Sequence, residues 1–205
     1  MIELYVSALI TFFVVIDPPG CAPIFAGLTK GASLVHRRSM AVRAVLVAAA
    51  ILLVFALVGE DLLRGLGISL ASFRIAGGIM LFLIALEMVF EKRTERREDR
   101  AAKVQASEVE DVSVFPMAMP MIAGPGSIAS VMLLMARNDG LNRTLVVLGA
   151  LATILLMTLA ALLAAGPLMR LLGARIEAVI TRLLGVLLGA LAVQFVMDGL
   201  QVSLR

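Results

Sequence analysis

Asp17 is a carboxylate inside an apolar stretch, followed at once by Pro18, Pro19 and Gly20 and shortly afterwards by Pro23. It lies about 14 residues into that stretch, or roughly 20 Å at 1.5 Å per helical residue. A hydrocarbon core is about 30 Å thick, so Asp17 falls well inside it. A charge at that depth is costly and marks a functional position by default. Two chemistries suit it: pairing with the ammonium of a solute, and carrying a proton during transport. A third role is structural. Asp followed by proline is a helix N-cap with proline at the first helical position, and that role can coexist with either of the others.

A second apolar stretch carries Pro116 and Pro120, then Ala123-Gly124-Pro125-Gly126-Ser127. Proline removes a backbone donor and clashes with the preceding turn, so a helix stops or kinks there. Glycine lets the chain turn and lets a ligand approach the backbone. Amides freed at the start of the next half-helix carry partial positive charge and suit a carboxylate. Gly20 and the amides after Pro23 are expected to do the same in the first stretch. The plainer alternative for all of these is kinking and packing alone. The expected solute-binding set is Asp17, Pro18, Pro19, Gly20 and Pro23 with Ala123, Gly124, Pro125, Gly126 and Ser127.

Arg74 and Arg182 occupy matching positions near the starts of two further apolar stretches. Each either snorkels to an interface or serves as a gate, paired with Asp17, Glu87 or Asp198. Gly77-Gly78 and Gly185-x-x-x-Gly189 are expected to let helices pack closely. Enzyme signatures are absent: there is no HExxH, no glycine loop with a Walker lysine and no Cys/His cluster. The single cysteine, Cys21, and the single histidine, His36, make neither a nucleophile–base pair nor a metal site. No catalytic residue, metal or cofactor is expected. A proton or sodium gradient would supply the driving force.

Composition dictates the elements that hold these residues. The 205-residue chain is 61% hydrophobic with a mean hydropathy of +1.03, against roughly 45–50% apolar residues in soluble domains. Six windows reach the roughly 20 residues that span a bilayer; they fall at about 4–28, 41–59, 71–90, 112–136, 144–166 and 179–199. In hydrocarbon a broken helix survives only where protein buries it or a polar cavity borders it, and the first and fourth windows are the broken ones. The first has no basic region ahead of it and is expected to be kept as a span, not cleaved as a signal peptide. With the N-terminus outside, the internal loops and flanks collect Lys30, Arg37, Arg38, Arg43, the basic residues between Lys92 and Lys103, Arg170, Arg175 and Arg182. The external side holds Arg64, Arg137, Arg143 and Arg205, with Arg74 close to that face. This bias predicts that both termini face outward. The net charge of +3 reports topology and gives no reason to expect nucleic acid.

Residues 91–111 are charged in both signs, lack aromatics and read as a solvated cytoplasmic linker between residues 1–90 and 112–205, or as a docking site. The halves look alike. Pro19-Gly20 recurs 106 residues later as Pro125-Gly126, and Arg74-x-x-Gly77 recurs 108 later as Arg182-x-x-Gly185. Three spans is an odd number, so the second copy must enter the membrane from the opposite side. The expected fold is all-α: one polytopic membrane domain of six transmembrane helices as a 3+3 inverted repeat, broken in its first and fourth helices.

DPPGCAPIF near the N-terminus, FRIAGGIMLFLIALEM in the third span, PMIAGPGSI in the fourth and LLGVLLGALAVQFVMDG in the sixth resemble the MarC family of bacterial inner-membrane proteins. The resemblance covers nearly the whole chain. It implies a multi-pass inner-membrane protein, and some relatives are regarded as gradient-driven transporters of small neutral amino acids such as glycine and alanine. By resemblance, Asp17, Pro18, Gly20 and Pro23 match the first family motif, and Gly124, Pro125, Gly126 and Ser127 the second. The expected partners are lipid and a small solute, with a homo-oligomer left open. Two competing expectations are a non-transporting scaffold acting through 91–111, and efflux of another solute through a wider, more aromatic cavity.

Overall fold

The computed structural model describes residues 1–90, 92, 96–99, 111–138 and 140–203, with the helix backbone alone over 168–178. All regular structure among them is helical. The elements are α1 (Ile2–Ile16), α2 (Pro18–Leu28), α3 (Leu34–Gly65), α4 (Leu70–Val89), a π-helical segment (Ser113–Ile122), α5 (Pro125–Arg137), α6 (Leu141–Leu163) and α7 (Ala165–Ser203). Five candidate spans are Ile2–Leu28, Leu34–Gly65, Leu70–Val89, Leu141–Leu163 and Val179–Ser203. The π-helical segment and α5, bent by 52° at their junction, make the sixth. These fall in order on the six expected windows, and the expected all-α membrane class holds. The linker 91–111 lies mostly outside the described residues; Lys92, residues 96–99 and Asp111 are the exceptions.

Local chemistry sets the boundaries. Ser33 and Ser69 cap α3 and α4, each side chain accepting from the amide three residues on, and Gly67 at φ 70° makes the turn between them. The π-helical segment departs from a plain half-helix. Its Phe115 and Met119 are extended, at φ −126°, ψ 126° and φ −130°, ψ 126°. Each precedes a proline, whose ring pushes the residue before it out of the helical region.

Helices α4 and α7 run antiparallel in close contact. A Cβ built on Gly78 would lie 2.8 Å from the Ala192 carbonyl oxygen, one on Gly185 3.1 Å from that of Ala85, and one on Gly199 2.9 Å from that of Ala71. The expected close packing at Gly77-Gly78 and Gly185 is therefore present, with Gly199 a further contact. Helices α1 and α2 pack on α6, and the π-helical segment and α5 pack on α3. Each broken span thus lies against the plain span of the other half. The first broken span is 72% buried, against 28–39% for the other four continuous candidate spans, so protein shields its free backbone groups from lipid. Exposed Leu46, Leu57, Leu83, Leu156 and Leu187 form part of the apolar exterior.

Candidate functional site

Asp17 is the hinge of the first break. Its backbone adopts φ 60°, ψ 65°, the left-handed region that Asp enters more readily than most residues. Its N–H donates to the Phe13 carbonyl at 2.9 Å, closing α1. Its Oδ1 accepts from the Gly20 amide at 3.1 Å, opening α2. The expected capping role is realised. Pro18 and Pro19 occupy the first positions of α2, where a missing N–H does no harm. Pro23 lies within α2, so the half-helix opens at Pro18. The amides expected to be free after Pro23 are therefore interior ones, and those of Gly20 and Cys21 are spent on Asp17 itself.

The second carboxylate oxygen has a partner the sequence did not single out. Arg97 Nη1 donates to Asp17 Oδ2 at 3.0 Å, and the two residues are 7% and 1% exposed. The pair packs directly over Gly20: a Cβ there would overlap Asp17 Oδ2 and lie 3.0 Å from Arg97 Nη1. In sequence, Arg97 is one basic residue among several in a hydrophilic linker. The usable signal was Asp17 itself, since a buried charge needs a cation close by. Among the described residues, the three carboxylates expected as gating partners of Arg74 and Arg182 are each held by another arginine. Asp17 is matched by Arg97, Glu87 by Arg96, and Asp198 by Arg137 at 3.0 Å. Arg74 donates to the Ala136 carbonyl at 3.4 Å, and Arg182 is exposed on α7.

The second break repeats the first in outline. Ser127 Oγ donates to the Ile122 carbonyl at 2.7 Å, and Cys21 Sγ to the Ile16 carbonyl at 3.5 Å. Both bonds span five residues, and donors and acceptors are each 106 positions apart. Ala123 stands where the first half has Asp17, so the second break carries no charge of its own. Gly124 caps α5 without any side-chain hydrogen bond, and Pro125 follows. The first-turn amides of α5 have no partner inside the helix. A Cβ on Gly124 would overlap the Pro120 carbonyl oxygen, so the bend depends on glycine there.

A cavity of about 320 Å³ borders the second break and meets the first only through Arg97; Asp17, Pro18, Pro19, Gly20, Pro23 and Ala123 do not line it. Gly124, Pro125, Gly126 and Ser127 line one side, Glu87 and Arg96 another, and Arg97 lies between the cavity and Asp17. Among the described residues, no aromatic side chain contributes to the lining. A larger cleft of about 590 Å³ between α1 and α7 is lined chiefly by Ile, Val and Leu, with Glu3 the one charged residue among the described lining residues.

A family model described as MarC family integral membrane protein matches residues 2–204. The chain belongs to the MarC family. A UPF0056 membrane protein of Methanocaldococcus jannaschii is 36% identical, covering 99% of this chain and 98% of that one. The UPF0056 membrane protein YhcE of Escherichia coli is 32% identical over 96% and 92% of the two chains, and YvbG of Bacillus subtilis 32% over 98% and 96%. These names describe membrane proteins and assign no solute. No solved structure matches the chain. In this MarC protein the linker's far end is anchored beside the cavity-forming span: Asp111 pairs with Arg43 and accepts from the Ser113 amide at 2.9 Å. Hydrogen bonding to Ser113, with Arg43 and His36 nearby, holds the Asp111 carboxyl below its ordinary value despite some desolvation.

Proposed function

We propose that this MarC protein is a secondary transporter of small zwitterionic solutes, with neutral amino acids of glycine or alanine size the best fit. The single observation that carries the reading is the cavity at the second break, whose wall includes the buried Arg97, the partly buried Glu87 and the α5 N-terminus, with Asp17 directly behind Arg97. An ammonium suits Asp17. A carboxylate suits the α5 amides and the neighbouring guanidinium. At about 320 Å³ the cavity lies at the small end of ligand pockets, which run about 300–1,000 Å³, and its non-aromatic walls disfavour efflux of bulky drugs. The shared five-residue bonds at Cys21 and Ser127, the antiparallel α4–α7 pair and the reciprocal packing of broken on plain spans support an inverted repeat. The excess of basic residues in the first, third and fifth loops supports an inner-membrane protein with both termini outward.

Ligand-induced thermal stabilisation of the purified protein tests the solute class, because anything that binds the folded state raises its melting temperature. Glycine, alanine and serine should stabilise it, and leucine and phenylalanine should not. Equal shifts for all five, or none for the small three, would contradict the reading.

A further inference from the structure

Resting on that transport reading, we infer that Arg97 is the solute's carboxylate ligand and, in the empty site, the stand-in for its ammonium. Both carboxylate oxygens of Asp17 are engaged, Oδ1 by the Gly20 amide and Oδ2 by Arg97 Nη1. The Gly20 bond belongs to the helix cap and must persist for α2 to open there. Asp17 is 1% exposed and does not line the cavity, whereas Arg97, which covers Oδ2, does, so an incoming ammonium reaches Asp17 from the cavity only once Arg97 has moved aside.

Arg97 is suited to that exchange. It comes from the segment that joins the two halves and is not fixed within a transmembrane helix. It borders the cavity that Asp17 itself does not line. A guanidinium has five donors in a fork that matches a carboxylate in two-point fashion. Displaced by the ammonium, it stays in the same cavity and meets the carboxylate of the same molecule. The swap preserves charge at each step: the Asp17–Arg97 pair becomes Asp17–ammonium and carboxylate–Arg97. No buried ion is left alone, which matters because an uncompensated buried charge is strongly destabilising. A solute with only one of the two charges cannot complete the exchange. Arg97 thereby selects zwitterions over amines and over simple carboxylates. Arg96 borders the cavity too, but it pairs with Glu87 and is half exposed, so water competes for it.

The test is equilibrium binding of three labelled probes to the full-length protein: alanine, alaninamide (no carboxylate) and propionate (no ammonium). Wild type should bind alanine in preference to the other two. Arg97→Gln should weaken alanine by roughly tenfold to a hundredfold, the scale of one lost charge-assisted hydrogen bond. The same variant should bind alaninamide more tightly than wild type does, because the competing cation has gone and Asp17 remains. Opposite signs for the two probes are not what a purely structural arginine would give. Arg97→Lys, which keeps the charge and loses the fork, guards against misfolding and should fall between wild type and Arg97→Gln. Arg96→Gln should change alanine binding less than Arg97→Gln. Parallel loss of alanine and alaninamide, or no change in either, would overturn the assignment while leaving the transport reading in place. Folded wild type that binds none of the three would remove that reading, and this inference with it.

Discussion

Asp17 carries three tasks at one position: it closes α1, opens α2 and holds the Arg97 guanidinium. Substitutions separate them. Asparagine retains a cap oxygen and tolerates the left-handed backbone, whereas alanine does neither. Asp17→Ala should therefore be less stable than Asp17→Asn by about 1–3 kcal/mol, read by thermal unfolding; equal stabilities would mean that neither the cap nor the φ of 60° matters. Gly20→Ala tests the pair without touching either charge. Its methyl would occupy the space of the carboxylate and abut Arg97, so it should destabilise by about 1–3 kcal/mol of overpacking and abolish alanine binding. A Gly20→Ala protein that binds like wild type would contradict the close seating of the pair over the helix start. At this scale the sequence revealed half of the site. An acid in an apolar run stands out, and Asp-Pro announces a cap. Arg97 does not stand out. It is 80 positions from Asp17, in a run of mixed charges where no spacing distinguishes it from Arg93, Arg96 or Arg100.

The elements matter because the breaks are held between helices that cannot separate easily. Gly78, Gly185 and Gly199 let the α4 and α7 backbones meet. Gly78→Val would drive a side chain against the backbone at Ala192 and Val196, and should cost about 1–3 kcal/mol or more in stability, while Gly149→Ala, at a position with open space around it, should be nearly silent. Comparable melting temperatures for the two would refute the tight α4–α7 contact. The helix windows, the two breaks and these glycines were legible because each leaves a local mark: length, proline or a small-residue spacing. The form of the fourth span was less so. Pro116 and Pro120 each force an extended residue ahead of them, and the result is a π-helical segment distorted along its length, where the sequence reading expected a helix broken over Pro116–Ser127 without specifying its form.

Across the whole molecule, the broken span of each half leans on the plain span of the other. Rocking of residues 1–90 against 112–205 as intact bodies would have to part those faces. Motion centred on the breaks, with the α4–α7 pair as a frame, keeps them together. The linker belongs to the same machine through Arg97, so deleting 91–111 would damage a transporter as well as a scaffold and does not discriminate between them. Asp17→Asn does, because a scaffold acting through the linker has no need of a transported ammonium. The decisive measurement is uptake of labelled alanine into proteoliposomes under an imposed proton or sodium gradient, wild type against Asp17→Asn, with folding checked for both. Gradient-dependent uptake by wild type that is lost in the variant is the result expected. Folded wild type that takes up neither alanine nor glycine under either gradient, or a variant that transports at the wild-type rate, would contradict the account.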